Sequence, residues 1–313
     1  MNKFGADFLM IVVTLLAAIS WMFSKEAVLI MPPILFVAIR FALAGLILAA
    51  FSIEDLKKLT ASQYWQSFKT GCVFGIAMSG WIMGLYFSSH VGVGAFLTSL
   101  GVVFVPIVAL IFFGEQSPRS TWLALPVATI GLGFLSLAHG FEIEKGHVFY
   151  VLSAILLAVY FNMNARAAND FAGDKIPAMA LTAIVLTSVG IVAGTVSLIV
   201  EDISGFVASL YFSFDIVEGE GVSFWVVTGW MLASAVIGTS ARFYIQTVAQ
   251  SLSHNSHGVV ILVLEPVWTA LIAAFWFGES MDAIQFIGCG FIFAALLIAR
   301  WRALMSMMKS ANS

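Results

Sequence analysis

The chain is written in long apolar stretches separated by short polar breaks, and the stretches have the length of membrane crossings. A helix needs about 20 apolar residues to pass the hydrocarbon layer. Ten such tracts fall at 8–24, 32–52, 71–89, 92–113, 120–138, 147–165, 178–200, 223–249, 256–277 and 283–300. They are apolar on every face, whereas the strands of a membrane barrel alternate over about ten residues. The pattern predicts an all-α membrane protein with ten transmembrane helices. The run from Phe206 to Phe214, inside the break at 201–221, is too short to cross and reads as an interfacial or loop-packing segment. The first tract has no convincing small-residue cleavage site and nine more follow it, so it is expected to stay as a helix.

Composition agrees with this pattern. Of 313 residues, 61% are hydrophobic and 10% charged, where soluble domains carry roughly a quarter charged. The solvent is therefore largely lipid. A net charge of −3 without a basic run leaves no electrostatic footprint for nucleic acid. Cys72 and Cys289 both lie in apolar tracts and give neither a disulfide framework nor a metal spacing. His254 and His257 share a helical face, but no carboxylate or cysteine completes a metal site around them. No metal or cofactor is expected.

Lysine and arginine collect in short cytoplasmic loops. With both termini inside, the inner segments hold Lys3, Lys57, Lys58, Lys69, Arg119, Arg166, Lys175, Arg300, Arg302 and Lys309, against only Lys25 and Lys145 outside. The loop with Glu201, Asp202, Asp215, Glu218 and Glu220 then faces outward. The expected location is the cytoplasmic (inner) membrane, crossed many times, with both ends in the cytoplasm.

An internal repeat divides the chain. Residues 90–115 align with 254–279 through His90/His254, Gly94/Gly258, Leu100/Leu264, Val103/Val267, Ala109/Ala273, Phe113/Phe277, Gly114/Gly278 and Glu115/Glu279. Eight matches in 26 positions exceed the two or three that a rough count allows for apolar bias. Two halves follow, 1–140 and 141–313, each with five spans. An odd number of spans turns the second half upside down in the bilayer, the architecture of many alternating-access carriers.

The segment LEPVWTALIAAFWFGE (264–279) and its first-half counterpart VVFVPIVALIFFGEQSPRSTW (102–122) resemble the EamA-like branch of the drug/metabolite transporter superfamily. Lys25 at the end of the first span, Arg40 within the second and Arg166 at the end of the sixth are similar to that family's pattern as well. The resemblance covers nearly the whole chain. It implies a ten-helix 5+5 inverted repeat and secondary transport of small metabolites, often outward. One departure stands out: Gly101 and Val102 occupy the first-half positions of Glu265 and Pro266.

Ionisable groups inside a span cost about 2.5–3.5 kcal/mol on insertion scales, so those present face a cavity or a partner. Glu265 lies near the centre of span nine, and Pro266 beside it favours a kink. Its carboxylate either takes a proton or a cationic group, or forms an ion pair with Arg242, and the two roles are compatible. Arg242, Gln246 and Gln250 recur every four residues and make one polar stripe on span eight. Arg242 is suited to hold a carboxylate or phosphate, or to neutralise Glu265. Arg40 either snorkels or pairs locally. Trp21, Trp81, Tyr160, Asn164, Tyr244 and Trp268 are candidates for an aromatic and amide-lined cavity, against the alternative of helix packing. The glycine pairs Gly71/Gly75, Gly80/Gly84 and Gly190/Gly194 suit close helix approach, and Glu115 and Glu279 suit caps or latches.

No phosphate-loop, HExxH or dinucleotide motif is present, so no enzyme is expected. The sequence reads as a secondary carrier of a small metabolite, an amino acid, an amine or similar, exporting or exchanging it in coupling to protons through Glu265. The alternatives are a passive channel and an intramembrane hydrolase built on Ser240 and His254. Monomer and homodimer are both open.

Overall fold

The structure is a computed structural model that describes residues 3–88, 91–116, 119–137, 144–169, 175–206, 224–252, 261–262, 264–277, 283–284, 286–295 and 297–298. The described residues are helical and turn segments with no strand. The helices are α1 (Lys3–Ala27), α2 (Pro33–Phe51), α3 (Ile53–Leu56), α4 (Ala61–Tyr86), α5 (Val91–Phe113), α6 (Arg119–Leu137), α7 (Lys145–Ala168) and α8 (Ala178–Val200). Then come α9 (Phe224–Ala233), a π-helical segment (Ser234–Ala241), α10 (Arg242–Leu252), α11 (Glu265–Phe277) and α12 (Phe286–Ala295). Among the described residues, five helices are individually long and apolar enough to cross a membrane: Asp7–Ala27, Pro33–Phe51, Ala61–Tyr86, Lys145–Ala168 and Ala178–Val200. Leu97–Phe113 and Phe286–Ala295 are shorter apolar helices.

Helix is the form these tracts take because lipid offers no partner for a bare N–H or carbonyl. The ends are set by local chemistry. Pro33 opens α2 at a position where a missing N–H costs no bond. Thr60 and Gln63 cap α4 reciprocally, Gln63 N donating to Thr60 Oγ1 at 3.3 Å and Thr60 N to Gln63 Oε1 at 2.8 Å. Gly114 closes α5 at φ 66°, a left-handed turn that glycine adopts without strain.

The first turn of α2 is capped from far away. Glu201, just beyond α8, accepts from Ile34 N at 2.8 Å and from Leu35 N at 2.9 Å, and Ser197 Oγ donates to it at 2.6 Å. A carboxylate there also meets the positive end of the helix dipole. Next to it, Asp202 opens a short turn; bonds from Gly205 N–H and Ser204 hold its carboxyl below the usual carboxylate range.

Helix pairing follows the small residues. Among the described elements α2 and α8 share the most extensive interface, where a methyl on Gly45 would overlap Thr187 and one on Gly190 would come within 2.8 Å of Ala42. Such closeness replaces the hydrophobic drive that lipid does not supply. The first helix of each predicted half reaches across to the other half: α1 packs on the π segment, α10 and α11, and α7 packs on α4 and α5. Large apolar side chains turn outward, Phe275 being 92% and Ile199 78% exposed.

Contacts at the helix ends gather the elements by level. Lys25 Nζ donates to Ser88 O at 3.3 Å and Trp276 Nε1 to Glu26 Oε1 at 3.2 Å. With the Glu201 cap, these bring the ends of α1, α4, α8 and α11 near the start of α2. At the far end of α5, Glu115 pairs with Arg166, whose guanidinium also lies 4.7 Å from the Phe113 ring.

Candidate functional site

Glu265 is the first residue of α11. Ile261, Leu262 and Leu264 before it form a tighter 3-10 turn, so the α-helix begins at the carboxylate itself. The change from 3-10 to α geometry falls at the residue pair where a kink was expected, and Pro266 sits in the first α-helical turn, a position that proline favours. The positive end of the α-helix dipole at that turn favours a negative side chain.

Two side-chain donors hold the carboxylate. Trp21 Nε1 of α1 donates to Oε1 at 2.7 Å, and Arg242 Nη2 of α10 donates to Oε2 at 3.2 Å. The Arg242 and Glu265 side chains are only 14% and 16% exposed, so the pair is largely withdrawn from solvent. Trp81 of α4 meets Trp21 edge to face at 4.8 Å, and Tyr150 of α7 lies 6.3 Å from the same ring. Tyr150 fits because Gly84 faces it; a Cβ there would come within 2.7 Å of its ring.

Arg242 is aimed by an irregularity that the sequence reading did not foresee. The π segment Ser234–Ala241 ends immediately before it. Thr239 Oγ1 donates to Ser234 O at 2.8 Å and Ser240 Oγ to Ala235 O at 2.9 Å, engaging carbonyls of the widened turns. Segments of this kind recur at functional sites in helices. Arg242 then rests 4.7 Å from the Phe243 ring.

These side chains surround a cavity of about 50 Å³, lined by Trp21, Trp81, Arg242 and Glu265 with Phe74, Phe161 and Phe243, and with Thr98 and Ser99 as polar additions. That volume admits a few waters at roughly 10–15 Å³ each, while organic ligand sites run to about 300–1,000 Å³. The site is tight in this conformation.

The other predicted residues are placed elsewhere. Tyr160 is buried and stacks on Phe74 at 3.9 Å, behind the cavity wall. Asn164 Nδ2 donates to Gln250 Oε1 at 2.6 Å and to Thr247 Oγ1 at 3.4 Å, forming a polar seam between α7 and α10. Gln246 is fully buried, and its amide has no hydrogen-bond partner among the described residues. Tyr244 and Trp268 pack against the core and do not line the cavity. Arg40 does not snorkel: it is fully buried and its Nη1 donates to Ser24 Oγ at 2.7 Å. Ser240 spends its hydroxyl on Ala235 O, with Ala44 O at 3.5 Å. His90, His254, His257 and Glu279 lie outside the described residues. Among the described residues no three His, Cys, Asp or Glu side chains cluster as metal ligands.

Comparison with known proteins agrees with the resemblance read in the sequence. An uncharacterized transporter of Archaeoglobus fulgidus is 26% identical over 215 residues, which make up 69% of this chain and 68% of that protein. A solved crystal structure of a protein 15% identical in sequence matches 97% of this chain and 99% of its own with a TM-score of 0.72. At that identity the likeness is one of fold. Family match and relative together support a multi-pass membrane transporter. The chain carries, over residues 4–137, a match to the EamA-like transporter family.

Proposed function

We propose that the protein is a secondary carrier that moves a small organic metabolite across the cytoplasmic membrane by alternating access. In this reading ten spans form two inverted halves, 1–140 and 141–313, with both termini in the cytoplasm. The metabolite, of the size of an amino acid or amine, leaves the cell by export or exchange coupled to protons.

One observation carries the proposal. Glu265 is bonded at once to Trp21, from the first half, and to Arg242, from the second. A carboxylate shared in this way makes the closed chamber depend on its charge. A proton or a cationic group on Glu265 weakens its hold on Arg242 and frees the halves to rock. The crossed packing of α1 and α7 supports the same picture, since each half uses its first helix to grip the other.

The test is reconstitution into liposomes loaded with candidate solutes. A carrier gives saturable counterflow of labelled solute. Electrical conductance without counterflow would instead favour a passive channel.

A further inference from the structure

We infer that the transported molecule carries an anionic group of the carboxylate class, and that Arg40 is the residue that holds it. This rests on the carrier reading above and adds a substrate chemistry to it.

Arg40 is fully buried on α2, where its guanidinium brings a positive charge into the interior. The ion pairs found among the described residues are His147 with Glu144, Arg166 with Glu115 and Arg242 with Glu265, and none includes Arg40. Its Nη1 reaches Ser24 Oγ, its Nε has no acceptor among the described residues, and the Phe36 and Phe41 rings lie 5.4 and 5.1 Å from its guanidinium carbon. Ring faces compensate a buried cation only in part, and a buried charge without a counter-ion is costly.

Among the described residues the neighbouring charges do not supply one. Arg242 is a like charge, and the carboxylate between the halves, Glu265, is already committed to Arg242. Among the described residues Glu265 is thus the partner of Arg242, and Arg40 is left without a carboxylate of its own.

Two buried hydroxyls without partners among the described residues lie on α1 and the π segment, the elements that adjoin α2 beside Arg40. Ser20 Oγ and Ser234 Oγ are buried and unbonded among the described residues. Ser20 lies against the π segment, where a Cβ on Gly238 would come within 2.7 Å of its hydroxyl. The same segment touches α2 through Ser240 and Ala44, one turn along from Arg40. The Arg40 Nε and the two hydroxyls thus belong to the junction of α1, α2 and the π segment, a donor set that suits carboxylate oxygens. Trp21, next in the chain to Ser20, is the cavity wall. Movement of α1 away from the π segment opens this seat and strains the bond between Trp21 and Glu265 together.

The test uses the purified full chain and its melting temperature in added acetate, phenylacetate, phenylacetamide, phenethylammonium or sodium chloride at matched ionic strength. Binding to the folded state raises that temperature with concentration. At least one carboxylate is expected to do so while the amide and the ammonium do not. Arg40→Gln is expected to weaken carboxylate binding by roughly ten- to a hundredfold, and Arg40→Lys to retain part of it. If Arg40→Gln does not fold, Ser20→Ala combined with Ser234→Ala takes its place, again with weaker binding expected. The inference is overturned if neither carboxylate stabilises, if the amide or ammonium matches them, or if the variants bind as wild type does. Equal stabilisation by chloride also overturns it, since a resident inorganic ion then serves Arg40. Counterflow separates the two readings: a carboxylate that binds without exchanging defeats the carrier, and exchange of a neutral solute without carboxylate binding defeats the anion seat.

Discussion

Trp21 and Glu265 stand 244 positions apart and meet through a 2.7 Å hydrogen bond from the indole N–H to the carboxylate. Hydrogen bonds to charged groups contribute about 1.5–3 kcal/mol. Trp21→Phe keeps a ring against Trp81 and removes the donor, so it is expected to lower stability by about that amount. A double-mutant cycle with Glu265→Gln should show coupling well beyond the roughly 0.3–0.5 kcal/mol of independent sites. Additive losses in melting experiments would refute the link.

Arg242 is the charged partner in the same centre. Removing one member of a buried ion pair costs about 3–5 kcal/mol, chiefly because the other charge is stranded. Arg242→Met is therefore expected to destabilise strongly, and Glu265→Gln in the same chain to recover part of the loss. The melting temperatures of the two single variants and the double variant check this. A double variant no more stable than Arg242→Met argues against the pair.

Glu201 caps α2 across 167 positions of sequence at Ile34. Losing a helix cap costs about 0.5–2 kcal/mol. Glu201→Ala should speed hydrogen exchange at the Ile34 and Leu35 amides while leaving the α4 cap at Gln63 unchanged. Mass-spectrometric exchange over both segments reads this directly, and equal protection in the variant would show that the cap carries no weight.

Gly190 tests the α2–α8 crossing. Gly190→Val forces a side chain against Ala42, and overpacking of this kind costs about 1–3 kcal/mol. Ala42→Gly in the same chain should restore part of the melting temperature. A Gly190→Val chain as stable as wild type would mean that the two helices approach less closely than described.

Much of this was readable in the chain because lipid makes unusual residues conspicuous. The apolar tracts carry helices, since hydrocarbon leaves the backbone no other partner. Glu265 and Arg242 stood out as charges in apolar tracts, and they meet. Trp21 and Trp81 were legible as aromatics at depth, but composition alone does not separate a cavity wall from a packing face, and in this structure Tyr244 and Trp268 pack against the core outside the cavity lining. The stripe of Arg242, Gln246 and Gln250 has the expected spacing, yet only Arg242 reaches the cavity; Gln250 turns to Asn164. The π segment left no periodic signal, because its residues are small and apolar on all sides. Pro266 carried a usable sign that was read as a kink: proline early in a tract marks a helix start as readily. The Glu201 cap joins residues too distant for any local pattern.

The most direct test of the account is transport by Glu265→Gln in proteoliposomes, using a solute that the wild type exchanges. The account predicts that an imposed pH gradient no longer drives accumulation while solute exchange at uniform pH persists. Accumulation by Glu265→Gln with wild-type extent and unchanged pH dependence would contradict the coupling role placed on this carboxylate.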